Sequence, residues 1–84
     1  MSEGIVMYGA DWCADCRRAK KVLERLGVAY EYVDADVTDG AIEVVRRYNG
    51  GTQTIPVIVF PDGGHLSEPS DEELERRLRE SGLA

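Results

Sequence analysis

Eighty-four residues allow one domain, spanning residues 1–84, with a small core, close to the size at which burial alone leaves stability marginal. Sixteen acidic side chains against ten basic ones give a formal net charge of -6, which argues against a phosphate-backbone partner. No stretch is long enough to span a membrane, and the first residues lack the basic flank and apolar run of an export signal. The expectation is a monomer in a reducing cytoplasm, with no membrane and no nucleic-acid partner.

Along the chain, Ile5 to Tyr8 is a short apolar run suited to a buried strand, and Gly9-Ala10-Asp11-Trp12 reads as a turn. Ala19, Val22, Leu23 and Leu26 then recur at intervals of three and four, giving one apolar face to a helix that ends at Gly27. The basic cluster Arg17, Arg18, Lys20 and Lys21 on that helix reads as a solvated face, or as a guide for an anionic thiol or an acidic partner. A second strand is predicted at Tyr30 to Val33. The acidic stretch Asp34 to Asp39 is expected to supply the turn and the capping groups for a helix carrying Ile42, Val44, Val45 and Tyr48, which stops near Asn49-Gly50-Gly51. Val57 to Phe60 forms the next apolar strand, and Pro61-Asp62-Gly63-Gly64 turns it into a short strand near His65-Leu66. Ser70 and Glu73 have the spacing of a capping box, opening a last helix with Leu74 and Leu78 facing inward. The order βαβαββα predicts an α/β fold in which a mixed sheet carries helices on both faces.

Cys13-Ala14-Asp15-Cys16, at the start of the first helix, holds the only two cysteines. As a structural staple the pair would do little, because a bridge between near neighbours barely constrains the unfolded chain. As a metal site it lacks a second cysteine pair, and His65 is the only histidine. Redox exchange is the reading that uses both thiols. Unpaired backbone amides and the positive end of the helix dipole favour the thiolate at Cys13, the predicted nucleophile. Cys16, nearly one turn on and tilted back towards the helix start, is the predicted resolving thiol. Asp15 has two readings, a tuner of thiolate character or an ordinary first-turn acid. Arg17 and Arg18 either return towards the sulfur and compensate or stay in solvent. His65, Tyr8 and Tyr48 read as packing or surface groups, not proton-transfer groups.

Trp12-Cys13-Ala14-Asp15-Cys16, Thr54-Ile55-Pro56-Val57 and Asp62-Gly63-Gly64 resemble the landmarks of the glutaredoxin branch of the thioredoxin superfamily. Met7-Tyr8-Gly9, Trp12-Cys13, Asn49-Gly50-Gly51 and Leu66-Ser67-Glu68-Pro69-Ser70 are most similar to actinobacterial mycoredoxin-like proteins. The resemblance implies a thioredoxin-like, glutaredoxin-type fold of four strands and three helices. It implies a cis Ile55-Pro56 bond facing the cysteines, where sequence alone favours a trans strand-edge proline. It also implies that the backbone of Ile55, beside Thr54, pairs with an extended thiol substrate. Gln53 stands where a polar or basic side chain meets a small-thiol carboxylate, and Ser67 where the loop contacts that thiol. Trp12 either packs beside the active turn or helps to hold substrate.

The implied activity is reduction of protein or low-molecular-weight-thiol mixed disulfides by a thiol–disulfide oxidoreductase. No cofactor is bound; mycothiol or glutathione serves as co-substrate. The implied partners are oxidised proteins and a low-molecular-weight thiol or flavin-dependent disulfide reductase. Glutaredoxins commonly carry Cys-Pro-Tyr-Cys and a lysine shortly before it, whereas this chain has Ala14-Asp15 and Asp11. Mycoredoxins share the tryptophan but keep an aromatic residue at the place of Asp15. These departures weigh against ordinary glutathione binding. A thioredoxin-like donor to one reductase, a sensor that binds without turnover and a zinc-linked dimer are the alternatives.

Overall fold

The computed structural model describes residues 4–84. Its elements follow the order β1 (Ile5–Gly9), α1 (Ala14–Arg25), β2 (Tyr30–Asp34), α2 (Ala41–Tyr48), β3 (Val57–Val59), β4 (His65–Ser67) and α3 (Asp71–Glu80). The four strands lie in the order β2-β1-β3-β4. β1 runs parallel to β2 and antiparallel to β3, and β4 returns antiparallel to β3.

Alternation along β1 divides the core between the two faces of the sheet. Ile5 and Met7 point towards α1 and α3, into a cluster that also holds Leu23, Ile58, Phe60, Leu74 and Leu78. Tyr8 points the other way, towards Ala41 and Val45 of α2 and Val57 of β3. The register agrees, since Met7 stands opposite Ile58 and Tyr8 opposite Val57.

Helix ends follow local chemistry. Gly27, at φ +70°, takes the left-handed position after α1, and Val28 N–H donates to the Leu23 carbonyl at 2.9 Å. Gly50 does the same after α2, with Gly51 N–H on the Arg46 carbonyl at 2.7 Å. Ser70 caps α3 as predicted, accepting from Glu73 N–H at 3.1 Å. The expected capping of α2 by the acidic stretch is corrected. Its N-cap is Gly40, without a side-chain bond, because Asp34 accepts from Asp36 N–H at 2.9 Å in the preceding turn and Asp36 is used elsewhere. The β3–β4 turn is pinned to α3 by Arg77, which lies 2.9 Å from Asp62 and stacks over the Phe60 ring.

Candidate active site

β1 ends at Gly9, the chain turns through Asp11 and Trp12, and Cys13 arrives at the N-cap of α1, one residue before the first helical turn. Its sulfur replaces the usual capping oxygen, accepting the Cys16 N–H at 3.3 Å. Both thiols are free. Cys13 keeps 8% of its surface and Cys16 none. The two therefore differ in access: Cys13 opens towards a partner and Cys16 sits behind it.

Gly9 makes that placement possible. A Cβ at Gly9 would come within 2.8 Å of Cys16 Sγ and 3.2 Å of Cys16 Cβ, so the strand end must be bare for the second thiol to pack there. Burial, first, and the side-chain bond with Cys13 push the Cys16 thiol up to about 12, with Asp15 adding a smaller push in the same direction. A neutral Cys16 is what an apolar pocket holds most readily.

Cys13 lines one side of a groove of about 450 Å³, together with Trp12, Ala14 and Asp15, while Gln53, Thr54, Ile55 and Glu68 form the other side. The Ile55–Pro56 peptide is cis, as the resemblance implied, and Pro56 is buried beneath the groove wall. Neither the N–H nor the C=O of Ile55 has a hydrogen-bond partner among the described residues. Asn49, just after α2, organises this wall. Its amide donates to the Thr54 carbonyl at 2.7 Å, and its oxygen accepts from Ser67 Oγ at 2.5 Å. Glu68 N–H closes the wall by donating to the Pro56 carbonyl at 2.8 Å.

Of the predicted site residues, Trp12, Cys13, Asp15, Gln53, Thr54 and Ile55 line this groove, Cys16 and Pro56 are buried, and Ser67 and Arg17 point elsewhere. Ser67 was expected at the small thiol; its hydroxyl is held by Asn49, and the following residue, Glu68, lines the groove instead. Of the two readings for Arg17, a return to the sulfur or a place in solvent, the structure has the exposed side chain donating to the Asp11 carbonyl at 2.8 Å, a nearby acceptor across the turn. Asp15 pairs with Arg18 at 2.9 Å, one helical step away. Gln53 turns its amide oxygen to Arg46 Nε at 3.3 Å and to Nη2 of the same guanidinium. Trp12 is 69% exposed, with its indole N–H on Asp36 at 2.6 Å. His65, on β4, packs its ring against Tyr48 at the end of α2.

Sequence reasoning missed three contributors. In the sequence Asn49 reads as a helix stop, Asp36 as part of a capping stretch and Glu68 only as part of a resemblance. The spacing of Asn49 after the α2 apolar face was visible, but its reach to Thr54 and Ser67 depends on the folded sheet. No group of residues among those described could hold a metal ion.

A mixed sheet with a Cys-x-x-Cys at the start of its first helix, opposite a cis-proline loop, is the frame of a thiol–disulfide oxidoreductase with the thioredoxin-like fold. The glutaredoxin family profile matches residues 5–66. A glutaredoxin-named protein of Mycobacterium tuberculosis is 35% identical over 78 residues, covering 93% of each chain. Mycoredoxin 1 of Corynebacterium glutamicum is 34% identical over 65 residues, covering 77% of this chain and 80% of its own. The crystal structure of a glutaredoxin from Archaeoglobus fulgidus superposes with a TM-score of 0.80 at 32% identity, covering 94% of this chain and 88% of that one. The chain belongs to the glutaredoxin family, and its Cys13–Cys16 pair is the dithiol of a thiol–disulfide oxidoreductase.

Proposed function

We propose that this protein reduces mixed disulfides of low-molecular-weight thiols, with Cys13 as the attacking thiolate and Cys16 as the resolving thiol. The observation that carries this reading is the difference in access between the two sulfurs: Cys13 opens on the groove, and Cys16 is buried. Attack by Cys13 on a disulfide sulfur forms one new S–S bond and releases the other sulfur as a thiol after it takes up a proton. Cys16 then loses its proton and attacks Cys13, closing the intramolecular disulfide and releasing the second thiol. A small thiol, a dithiol donor or a flavin-dependent reductase returns two electrons to the pair.

Mycothiol is the favoured co-substrate over glutathione. The mycoredoxin relative supports this choice, as does a groove without a lining cation for a glutathione carboxylate. Ile55, with its backbone groups free of partners among the described residues, is suited to pairing with an extended substrate, and Trp12 and Thr54 flank that path. The protein works as a monomer in a reducing cytoplasm, where the pair is kept as a dithiol. Turnover on matched mycothiol and glutathione mixed disulfides, beside a dithiol-driven protein disulfide assay, tests this. Selectivity for mycothiol that disappears in Cys13→Ser is the expected result. Dithiol-driven turnover with neither mixed disulfide used would replace it with a thioredoxin-like donor, and stoichiometric trapping without recycling would replace it with a sensor.

A further inference from the structure

Two of the residues lining the groove beside Cys13 carry charge, Asp15 and Glu68, and both are acidic. Asp15 shares Arg18 with Asp71, at 2.9 and 3.0 Å, so one cation serves two carboxylates. The Glu68 carboxylate has no hydrogen-bond or ion-pair partner among the described residues. Neither Arg17 nor Arg46 lines the groove: Arg17 donates to the Asp11 carbonyl, and Arg46 is held by the Gln53 amide oxygen. Glu68 also stands at φ +53°, immediately before Pro69, a conformation that glycine adopts far more readily than a residue with a side chain. The bond from its N–H to the Pro56 carbonyl holds it there. An unpaired carboxylate kept in an uncommon backbone conformation, on the groove wall facing the reacting sulfur, points to a role in recognition.

We infer that Glu68, assisted by Asp15, makes this groove select thiol adducts by charge, accepting cationic ones best, uncharged ones next and carboxylate-bearing ones least. The inference deepens the proposed exchange at Cys13 and rests on it. In that exchange the Cys13 thiolate attacks the sulfur of the small thiol R in a carrier–S–S–R disulfide. The Cys13–S–S–R bond forms, the carrier sulfur leaves with the bonding electron pair and takes up a proton, and R occupies the groove. Cys16 or a second R thiolate then releases R. The charge on R therefore faces Glu68 both during attack and in the intermediate. In an open groove one such charge is worth about threefold or more in rate at low ionic strength, and salt weakens it.

The test uses the full chain and one uncharged carrier peptide, disulfide-bonded in turn to 2-aminoethanethiol, 2-mercaptoethanol and 3-mercaptopropionate. The wild type is expected to show kcat/KM falling in that order, with a cation-to-anion ratio of about tenfold at low salt that shrinks as salt is added. Glu68→Gln should lower the ratio by about threefold or more, and Asp15→Asn should move it in the same direction. Glu75→Gln removes the same formal charge from α3, away from the groove, and should leave the ratio in place. A ratio unchanged in both Glu68→Gln and Asp15→Asn, a wild-type preference for the anionic adduct or an equal shift in Glu75→Gln overturns the inference alone. No exchange with any of the three adducts overturns the oxidoreductase reading beneath it.

Discussion

Cys13 and Cys16 stand at the start of a helix whose inner face is buried against Ile5, Met7, Ile58, Leu74 and Leu78, whereas the facing wall of the groove hangs on side-chain and loop hydrogen bonds around Asn49. Dispersed apolar contacts hold the first wall, and losing one leaves many others. A few directional bonds hold the second, so one polar substitution can move it. The chemistry thus sits on the part of the fold that is hardest to shift, and recognition sits on the part that small changes can retune.

The largest effects belong to the first wall. Cys13→Ser should lower exchange by about a hundredfold or more, because a hydroxyl is not ionised where a thiolate attacks. Cys16→Ser should still attack but accumulate a Cys13 mixed disulfide, visible by mass spectrometry. Leu78→Ala, in the packing behind the cysteines, should cost about 2–5 kcal/mol in urea unfolding, a large share of the stability of so small a domain. Gly9→Ala should cost about 1–3 kcal/mol, because its Cβ meets Cys16 Sγ at 2.8 Å, and should slow release of the mixed disulfide.

The second wall should respond differently. Asn49→Ala should cost about 1–2 kcal/mol yet raise KM for mixed disulfides several-fold, with kcat less affected. A variant that loses stability without any change in KM would break the distinction between the two walls.

The smallest effect at neutral pH separates the walls by proton linkage. Cys16 is raised from an ordinary 9.0 to about 12, chiefly by burial, and the hydroxyls of Tyr8, Tyr30 and Tyr32 are also raised, each first by burial. Well below pH 9 both folded and unfolded Cys16 hold their proton. As pH rises beyond 9 the unfolded chain releases it first, so stability falls until the folded value is passed. Urea midpoints between about pH 8 and about pH 11 should fall, and less steeply in Cys16→Ala.

Much of the fold was legible because it rests on patterns within single elements. The α1 stripe of Ala19, Val22 and Leu23, the Ser70 cap and the Pro61–Gly64 turn each carry their signal over a few residues. The cysteine pair announces itself in the same way, while the cis bond before Pro56 came only through resemblance. Less legible was where polar side chains go. Asp34 and Asp36 had the composition of caps, but the turn and Trp12 took them, leaving Gly40 to start α2. Ser67 and Glu68 are neighbours in the chain, yet β4 and the Pro56 carbonyl assign them opposite duties. Such choices depend on which acceptors the sheet brings within reach, and no local pattern records them.

Trp12 is the only tryptophan in the chain, and it stands next to Cys13 with most of its ring in solvent and its indole tied to Asp36. Tryptophan fluorescence in this protein is therefore a reporter placed at the mouth of the reaction and not in the interior. Unfolding changes the surroundings of an already wet indole only modestly, whereas disulfide formation one residue away or a docked ligand changes them directly. The emission of this single tryptophan, excited where the four tyrosines do not absorb, should follow the redox cycle in real time without any label attached.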